Sequence, residues 1–235
     1  MDDYFEDLKQ QAEKNDTGLT NEVYLTEKGT VVKTYSRYPL TSILESFTEL
    51  LNGRINYVSR NERMSNEVEM KKVLGEKGFG TPQVMEIGEE SIEFEKVPGR
   101  DGFFFLSEAS ELESRKIGRK LGDFLYEIHS EDMAMNDFRL SNIHVADKLE
   151  CYYLDHEYSK LEANSLLKKV DQLTLFSSAR QTGNFSSFLK GFKQSRADLD
   201  RLALILSIFV FGYHAILFER SLDKFVKGIR SVLVG

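Results

Sequence analysis

Two runs of apolar, β-branched and aromatic residues broken by single polar positions, 19–26 and 30–35, flank the polar turn Glu27, Lys28 and Gly29 and read as the strands of a β-hairpin. Helical spacing takes over on either side. Tyr4, Phe5, Leu8 and Ala12 predict a short amphipathic helix within 3–14, and Leu40, Ile43, Leu44, Phe47, Leu50 and Leu51 form a helical stripe over 40–51. A further helix is predicted over 62–77 and ended by Gly78 and Gly80. At 100° per residue its apolar arc holds Met64, Val68, Met70 and Leu74, with Glu67 in their midst. A second hairpin follows, with strands 84–87 and 92–97 about Gly88, Glu89 and Glu90.

Pro98 and Gly99 interrupt the pattern and mark a boundary. Beyond it, Phe103, Phe104, Phe105 and Leu106 read as core, and Ile117, Leu121, Phe124, Leu125 and Ile128 make a strong helical stripe ending at His129. Two short strands, 143–145 and 151–154, flank a polar turn. Phe185, Phe188, Leu189 and Phe192 give another helix within 184–194. The apolar run 202–218 falls short of the roughly 20 residues a bilayer span takes and is interrupted by Gly212, Tyr213 and His214. It is expected to be a central buried helix or an oligomer contact, with no membrane association.

Composition narrows the setting. A chain of 235 residues, 41% hydrophobic and 29% charged, suffices for one sizeable domain or two small lobes sharing a cleft. The single cysteine, Cys151, allows no internal disulfide, and the acidic start M-D-D-Y-F-E-D-L lacks the order of a signal peptide, so a cytoplasmic location is expected. A net charge of −7 argues against a broad nucleic-acid surface, and no direct nucleic-acid binding is expected. The four histidines show no zinc-binding spacing.

The chemistry concentrates between Asn136 and Asp155. Asp137 and Asn142 lie five positions apart, and the hairpin between Asn142 and Asp155 would bring all three into one small volume. Two carboxylates and an amide so placed suit phosphoryl transfer, one carboxylate orienting an acceptor hydroxyl while the others hold magnesium on phosphates. Lys33, inside V-V-K-T-Y, would by itself be read as a solvent-facing strand residue whose replacement by methionine leaves the fold intact. A glutamate on an apolar arc, however, calls for an inward-facing cation, and Lys33 is the candidate partner of Glu67.

Taken together, these segments resemble the protein-kinase-like superfamily: D-F-R-L-S-N the catalytic loop, L-D-H-E the metal loop, and Lys33 with Glu67 the phosphate-positioning ion pair. N-E-V-E-M-K-K-V-L-G-E-K-G-F-G-T-P, the compact length and K-K-V-D-Q-L are most similar to the small kinase of the KEOPS complex and to the RIO kinases. D-H-E is similar to the D-x-E of aminoglycoside and choline phosphotransferases.

The resemblance implies an α+β, two-lobed kinase-like fold, with a β-rich lobe over 1–97 carrying the glutamate helix and a larger helical lobe over 98–235. It implies ATP and Mg2+ as cofactors, Asp137 orienting the acceptor, Arg139 facing the transferred phosphate, and Asn142 and Asp155 on the metal. Lys33, held by Glu67, would take phosphate; backbone groups of Glu95 to Val97 would receive adenine; Asp171 would brace the catalytic loop. Only 15 residues separate Asp155 from Asp171, which leaves no room for a long activation loop. The chain departs from the pattern in having only Gly18 before its first strand, Met135-Asn136 in place of His-Gly, and no basic carboxyl-terminal tail. The expected function is that of a small atypical serine/threonine protein kinase acting on a protein acceptor, with a protein-complex partner as a further expectation. The alternatives are a kinase of small-molecule hydroxyls and a pseudokinase scaffold.

Overall fold

The computed structural model describes residues 21–36 and 59–214, and of residues 209–214 only the backbone. The helices expected over 3–14 and 40–51, Gly18, and positions 215–218 of the apolar run lie outside the described residues. The protein is a mixed α+β structure: a four-stranded antiparallel sheet comes first and six helices are distributed along the described chain.

Strands β1 (Glu22–Leu25) and β2 (Val31–Thr34) form the first hairpin, closed by the Thr26 amide on the Thr30 carbonyl at 2.8 Å. Helix α1 (Arg60–Glu76) starts two residues before the apolar pattern because the Ser59 hydroxyl accepts the Glu62 amide as an N-cap. Strands β3 (Val84–Ile87) and β4 (Ser91–Phe94) complete a sheet of order β1-β2-β4-β3. Residues directly opposite each other in an antiparallel ladder share a face. Lys33 pairs with Ile92 and Val31 with Phe94, so the Lys33 face also carries the buried residues onto which α1 packs. There Tyr35, Met64, Ile92 and Phe94 form a small core.

From Arg100 onward the elements build a second, larger core. Strands β5 (Arg100–Asp101), β6 (Ile143–Val145) and β7 (Cys151–Tyr153) form a three-stranded antiparallel sheet. Around it stand α2 (Gly102–Glu108), α3 (Glu111–Ser130), α4 (Ser165–Arg180), α5 (Phe185–Phe192) and α6 (Arg201–His214). A reciprocal capping box of Ser110 and Glu113 starts α3. Its stripe of Ile117, Leu121, Phe124, Leu125 and Ile128 is buried against Phe138, Tyr153, Phe188 and Phe192. Helix α5 crosses α3 so closely that a Cβ on Gly118 would lie 2.0 Å from the Phe188 carbonyl oxygen.

The two cores meet where α1 ends. Met70 and Leu74 belong to the larger core, and the chain leaving α1 runs along β7, with the Tyr153 amide on the Gly80 carbonyl at 2.9 Å. A Cβ on Gly80 would sit 2.6 Å from the Cys151 carbonyl oxygen, so only glycine fits this approach.

Two packing expectations need correction. Phe104 does not belong to the core but is 47% exposed, because consecutive helical residues point 100° apart and α2 buries Leu106 instead. Helix α6 is not enclosed within its described part: Ala203, Ser207 and Ile208 face inward, while Leu202, Ile205 and Leu206 are exposed. Among the described residues no helix is long and apolar enough to cross a membrane.

Candidate functional site

Four separated segments supply the polar groups: β2, α1, the turn before β6, and residues 154–157 after β7. Lys33 does not face solvent. Its side chain is 8% exposed and its Nζ lies 3.1 Å from Glu67 Oε2, 2.8 Å from Asp155 Oδ1 and 3.6 Å from Glu157 Oε2. Burial alone would lower the Lys33 pKa, but Asp155, Glu67 and Glu157 outweigh it and raise the ammonium well above its usual value. Burial pushes Glu67 the opposite way, and Lys33, Lys71 and the His156 amide together overcome it and hold the carboxyl at about 2. The pair is therefore ionised at neutral pH.

The turn before β6 is built on a buried carboxylate. Asp171 of α4 is fully buried and accepts the amides of Met135 at 3.0 Å and Asn136 at 2.6 Å, with His129 Nε2 at 2.9 Å. Burial raises its pKa in spite of these three partners. Asn136 adopts φ 62°, a left-handed conformation that asparagine tolerates better than most residues, and its Nδ2 donates to the Tyr158 carbonyl at 2.8 Å.

This backbone delivers Asp137. Asn142 Nδ2 donates to the Asp137 carbonyl at 2.9 Å and to Oδ2 at 3.1 Å, while Arg139 Nε approaches Oδ1 at 2.5 Å. Burial raises the Asp137 pKa; Arg139 lowers it and the nearby Asp155 carboxylate raises it further. Asp155 is positioned through its neighbour, since the Leu154 amide donates to the Asn142 carbonyl at 3.0 Å. The structure thus brings Lys33, Glu67, Asp137, Arg139, Asn142 and Asp155 into one connected cluster.

Two oxygens in this cluster have no hydrogen-bond donor among the described residues, Asn142 Oδ1 and Asp155 Oδ2. One amide and one carboxylate oxygen form the hard donor set from which magnesium is commonly held together with phosphate oxygens, so the residues present fit that ion.

Glu95 and Val97 lie apart from the cluster. The Glu95 amide is not free, being held by the Gln83 carbonyl at 2.9 Å; the Glu95 carbonyl and the Val97 amide have no partner among the described residues. Both residues border a hollow of about 570 Å³ with Lys71, Phe79, Pro82 and Tyr152, to which Lys33, Asp137, Asn142 and Asp155 do not contribute. On the Lys33 face of the sheet, Val23 lies opposite Lys33 and Leu25 opposite Val31, and both Val23 and Leu25 are exposed.

Several members of the cluster were not singled out from sequence. Arg63 is fully buried, with Nη1 3.0 Å from Glu157 Oε2 and 3.0 Å from Asn21 Oδ1. Lys71 pairs with Glu67 Oε1 at 2.8 Å and donates to the Leu154 carbonyl. The signal that could have found them is charge of alternating sign at four-residue spacing, Arg63, Glu67 and Lys71, along one helix face. Among the described residues no three histidine, cysteine, aspartate or glutamate side chains converge as a metal-holding group.

No family model matches the chain, and no curated protein matches it.

Proposed function

We propose that this protein is an ATP- and magnesium-dependent phosphotransferase of the protein-kinase-like superfamily, transferring the γ-phosphoryl group to an acceptor hydroxyl. The observation that carries the reading is the convergence on Lys33 Nζ of Glu67, from a helix, at 3.1 Å and Asp155, from the segment after β7, at 2.8 Å. A buried lysine so held is a fixed cation for phosphate oxygens. Magnesium, held by Asn142 Oδ1 and Asp155 Oδ2, would neutralise charge on the phosphates.

The other residues take their parts from position. Asp137 receives the proton of the acceptor hydroxyl as the bond from oxygen to the γ-phosphorus forms and the bond from phosphorus to the ADP oxygen breaks. A carboxyl whose pKa burial has raised suits that work better than an ordinary aspartate. Arg139, half exposed beside Asp137, offers a guanidinium to the transferred group. The Glu95 carbonyl and Val97 amide would receive the adenine edge, under the apolar Val23, Leu25 and Val31. The resemblance of the catalytic and metal loops, and the bracing of the former by Asp171, support the same two-lobed reading.

Calorimetry with and without magnesium, alongside an ATP-turnover assay with protein and small hydroxyl acceptors, tests the roles. Asp137→Asn is expected to abolish transfer while leaving magnesium-dependent ATP binding nearly unchanged; Asp155→Asn is expected to weaken ATP binding only when magnesium is present. Equal binding losses in both variants would refute the assignment. Absence of turnover in the wild type together with metal-independent ATP binding would replace it with a nucleotide-binding scaffold.

A further inference from the structure

Helix α1 is joined to the segment 154–157 by more than the Glu67 ion pair. Arg63 Nη1 reaches Glu157 Oε2 at 3.0 Å, Asn66 Nδ2 donates to the Glu157 carbonyl at 3.2 Å, Glu67 Oε2 accepts the His156 amide at 3.1 Å, and Lys71 donates to the Leu154 carbonyl. Positions i, i+3, i+4 and i+8 fall on one side of a helix within an arc of about 140°. These four residues therefore form a continuous seam along the helix, and every bond in it is made by this chain's own groups. Arg63 extends the seam to the first hairpin through Asn21 and the Ser36 carbonyl.

We propose that Arg63, Asn66 and Lys71 are positioning residues that latch α1 to segment 154–157, so that Lys33, Glu67 and Asp155 are held in register permanently. The functional side of this inference rests on the phosphotransferase reading. In kinases the helix carrying the glutamate is commonly a switch, brought in by ordering of an activation loop. Here residues 156–164 are too few for such a loop, and the Ala134–Lys160 pairing ties them to the turn before Asp137. Swinging α1 outward would break the buried Arg63–Glu157 and Lys33–Glu67 pairs together with the three hydrogen bonds that Asn66, Glu67 and Lys71 make to the backbone of 154–157, a combined loss that makes the open state scarcely populated. The site is accordingly governed by supply of nucleotide and acceptor, not by helix movement.

The His156 amide is the reporter, because its only acceptor among the described residues is Glu67 Oε2. Hydrogen exchange resolved by residue in the full chain is expected to show this amide as slow as the interior of α1, with or without ADP and magnesium. Lys71→Met should accelerate it at least about a hundredfold while the α3 amides around Leu121 keep their rates, and should weaken binding of ADP with magnesium by about tenfold, as loss of a supporting partner commonly does. Lys71→Arg should restore both. Asn66→Ala, which removes one neutral bond and leaves every buried charge paired, should accelerate the amide in the same direction if Lys71→Met fails to fold.

A His156 amide that exchanges freely in the wild type and slows on adding ADP and magnesium would overturn the latch. So would acceleration of all amides alike in Asn66→Ala. A wild type that binds no nucleotide but keeps the His156 amide protected would sink the phosphotransferase reading and leave the latch standing.

Discussion

Replacing Lys33 with methionine removes one cation from among three carboxylates, and the consequence for stability follows from what each carboxylate has left. Removing one partner of a buried ion pair typically costs about 3–5 kcal/mol, because the remaining charge is stranded in a poorly polarisable interior. Here none is stranded alone. Glu67 keeps Lys71 at 2.8 Å, Glu157 keeps Arg63 at 3.0 Å, and Asp155, 32% exposed, is reached by water. The methionine also recovers part of the apolar contact made by the lysine stem. The loss is therefore expected near or below the lower end of that range, about 2–3 kcal/mol. In a chain of this size that lowers the melting temperature by about 5–10 °C. Urea unfolding of Lys33→Met, Glu67→Gln and the double variant supplies the measurement. The double variant should be less destabilised than the sum of the singles by about 1–3 kcal/mol, the sign of direct coupling. A Lys33→Met protein within about 0.5 kcal/mol of wild type, the ordinary range for a surface substitution, would refute the buried placement of Lys33.

Two further predictions concern the carboxylates around the cluster. Because Glu67 titrates at about 2 in the folded chain and near 4.3 when unfolded, its stabilising contribution is present above about pH 4.3 and is lost as pH falls toward 2. The advantage of wild type over Glu67→Gln in unfolding measurements should shrink across that window, and a difference constant from pH 2 to 7 would count against it. Asp171 has the opposite sign: its folded pKa is raised, so the folded chain holds a proton the unfolded chain has lost, and stability falls as pH rises from about 3.9 through the raised value. Asp171→Asn should remove that slope, destabilise the protein at neutral pH by about 1–3 kcal/mol through the amide left without an acceptor, and lower kcat more than it raises KM; unchanged stability and kcat would exclude Asp171 as the support of the turn.

The elements that periodicity found are those whose partners lie along a single repeating face. Helix α3 was legible for this reason: Ile117, Leu121, Phe124 and Ile128 repeat on one side of their helix and are all buried, whereas the hairpins were marked by their Gly-containing turns. The inward face of α1 was only partly legible, since it carries Arg63, Glu67 and Lys71 where an apolar stripe would be expected. Those charges are tolerable because Glu67 pairs with Lys33 and Lys71, and because residues 154–157, more than eighty positions away, supply Glu157 to Arg63 and a carbonyl to Lys71. Nothing local to α1 announces that. The same reasoning explains Lys33, which looks like a surface residue until the carboxylates from α1 and the Asp155 segment surround it. In α6 the failure was of another kind: a helix apolar all round gives no phase, so its exposed Leu202, Ile205 and Leu206 could not be told from its buried Ala203 and Ile208.

Two positions of the catalytic and metal loops, Asn136 and His156, have physical roles in this chain that bear on the proposed chemistry. The position where the pattern has glycine before the catalytic aspartate is Asn136, and its φ of 62° is a conformation glycine enters freely and asparagine enters at small cost. The substitution thus preserves the backbone path that points Asp137 at the cluster, and Asp171 holds that path by accepting the amides of Met135 and Asn136. The second position is His156, the middle residue of D-H-E. It is fully buried; burial first, then Lys71 and Lys33, depress its pKa well below the usual value, leaving a neutral imidazole at physiological pH. Its Nε2 lies 2.9 Å from the Tyr153 carbonyl, which requires the proton on that nitrogen, and its Nδ1 faces no donor. A neutral ring without a donor to its second nitrogen packs as an aromatic side chain does, so D-H-E can hold Asp155 in place as an apolar middle residue would. Asn136 and His156 thus keep the backbone conformation and the packing that the proposed chemistry requires.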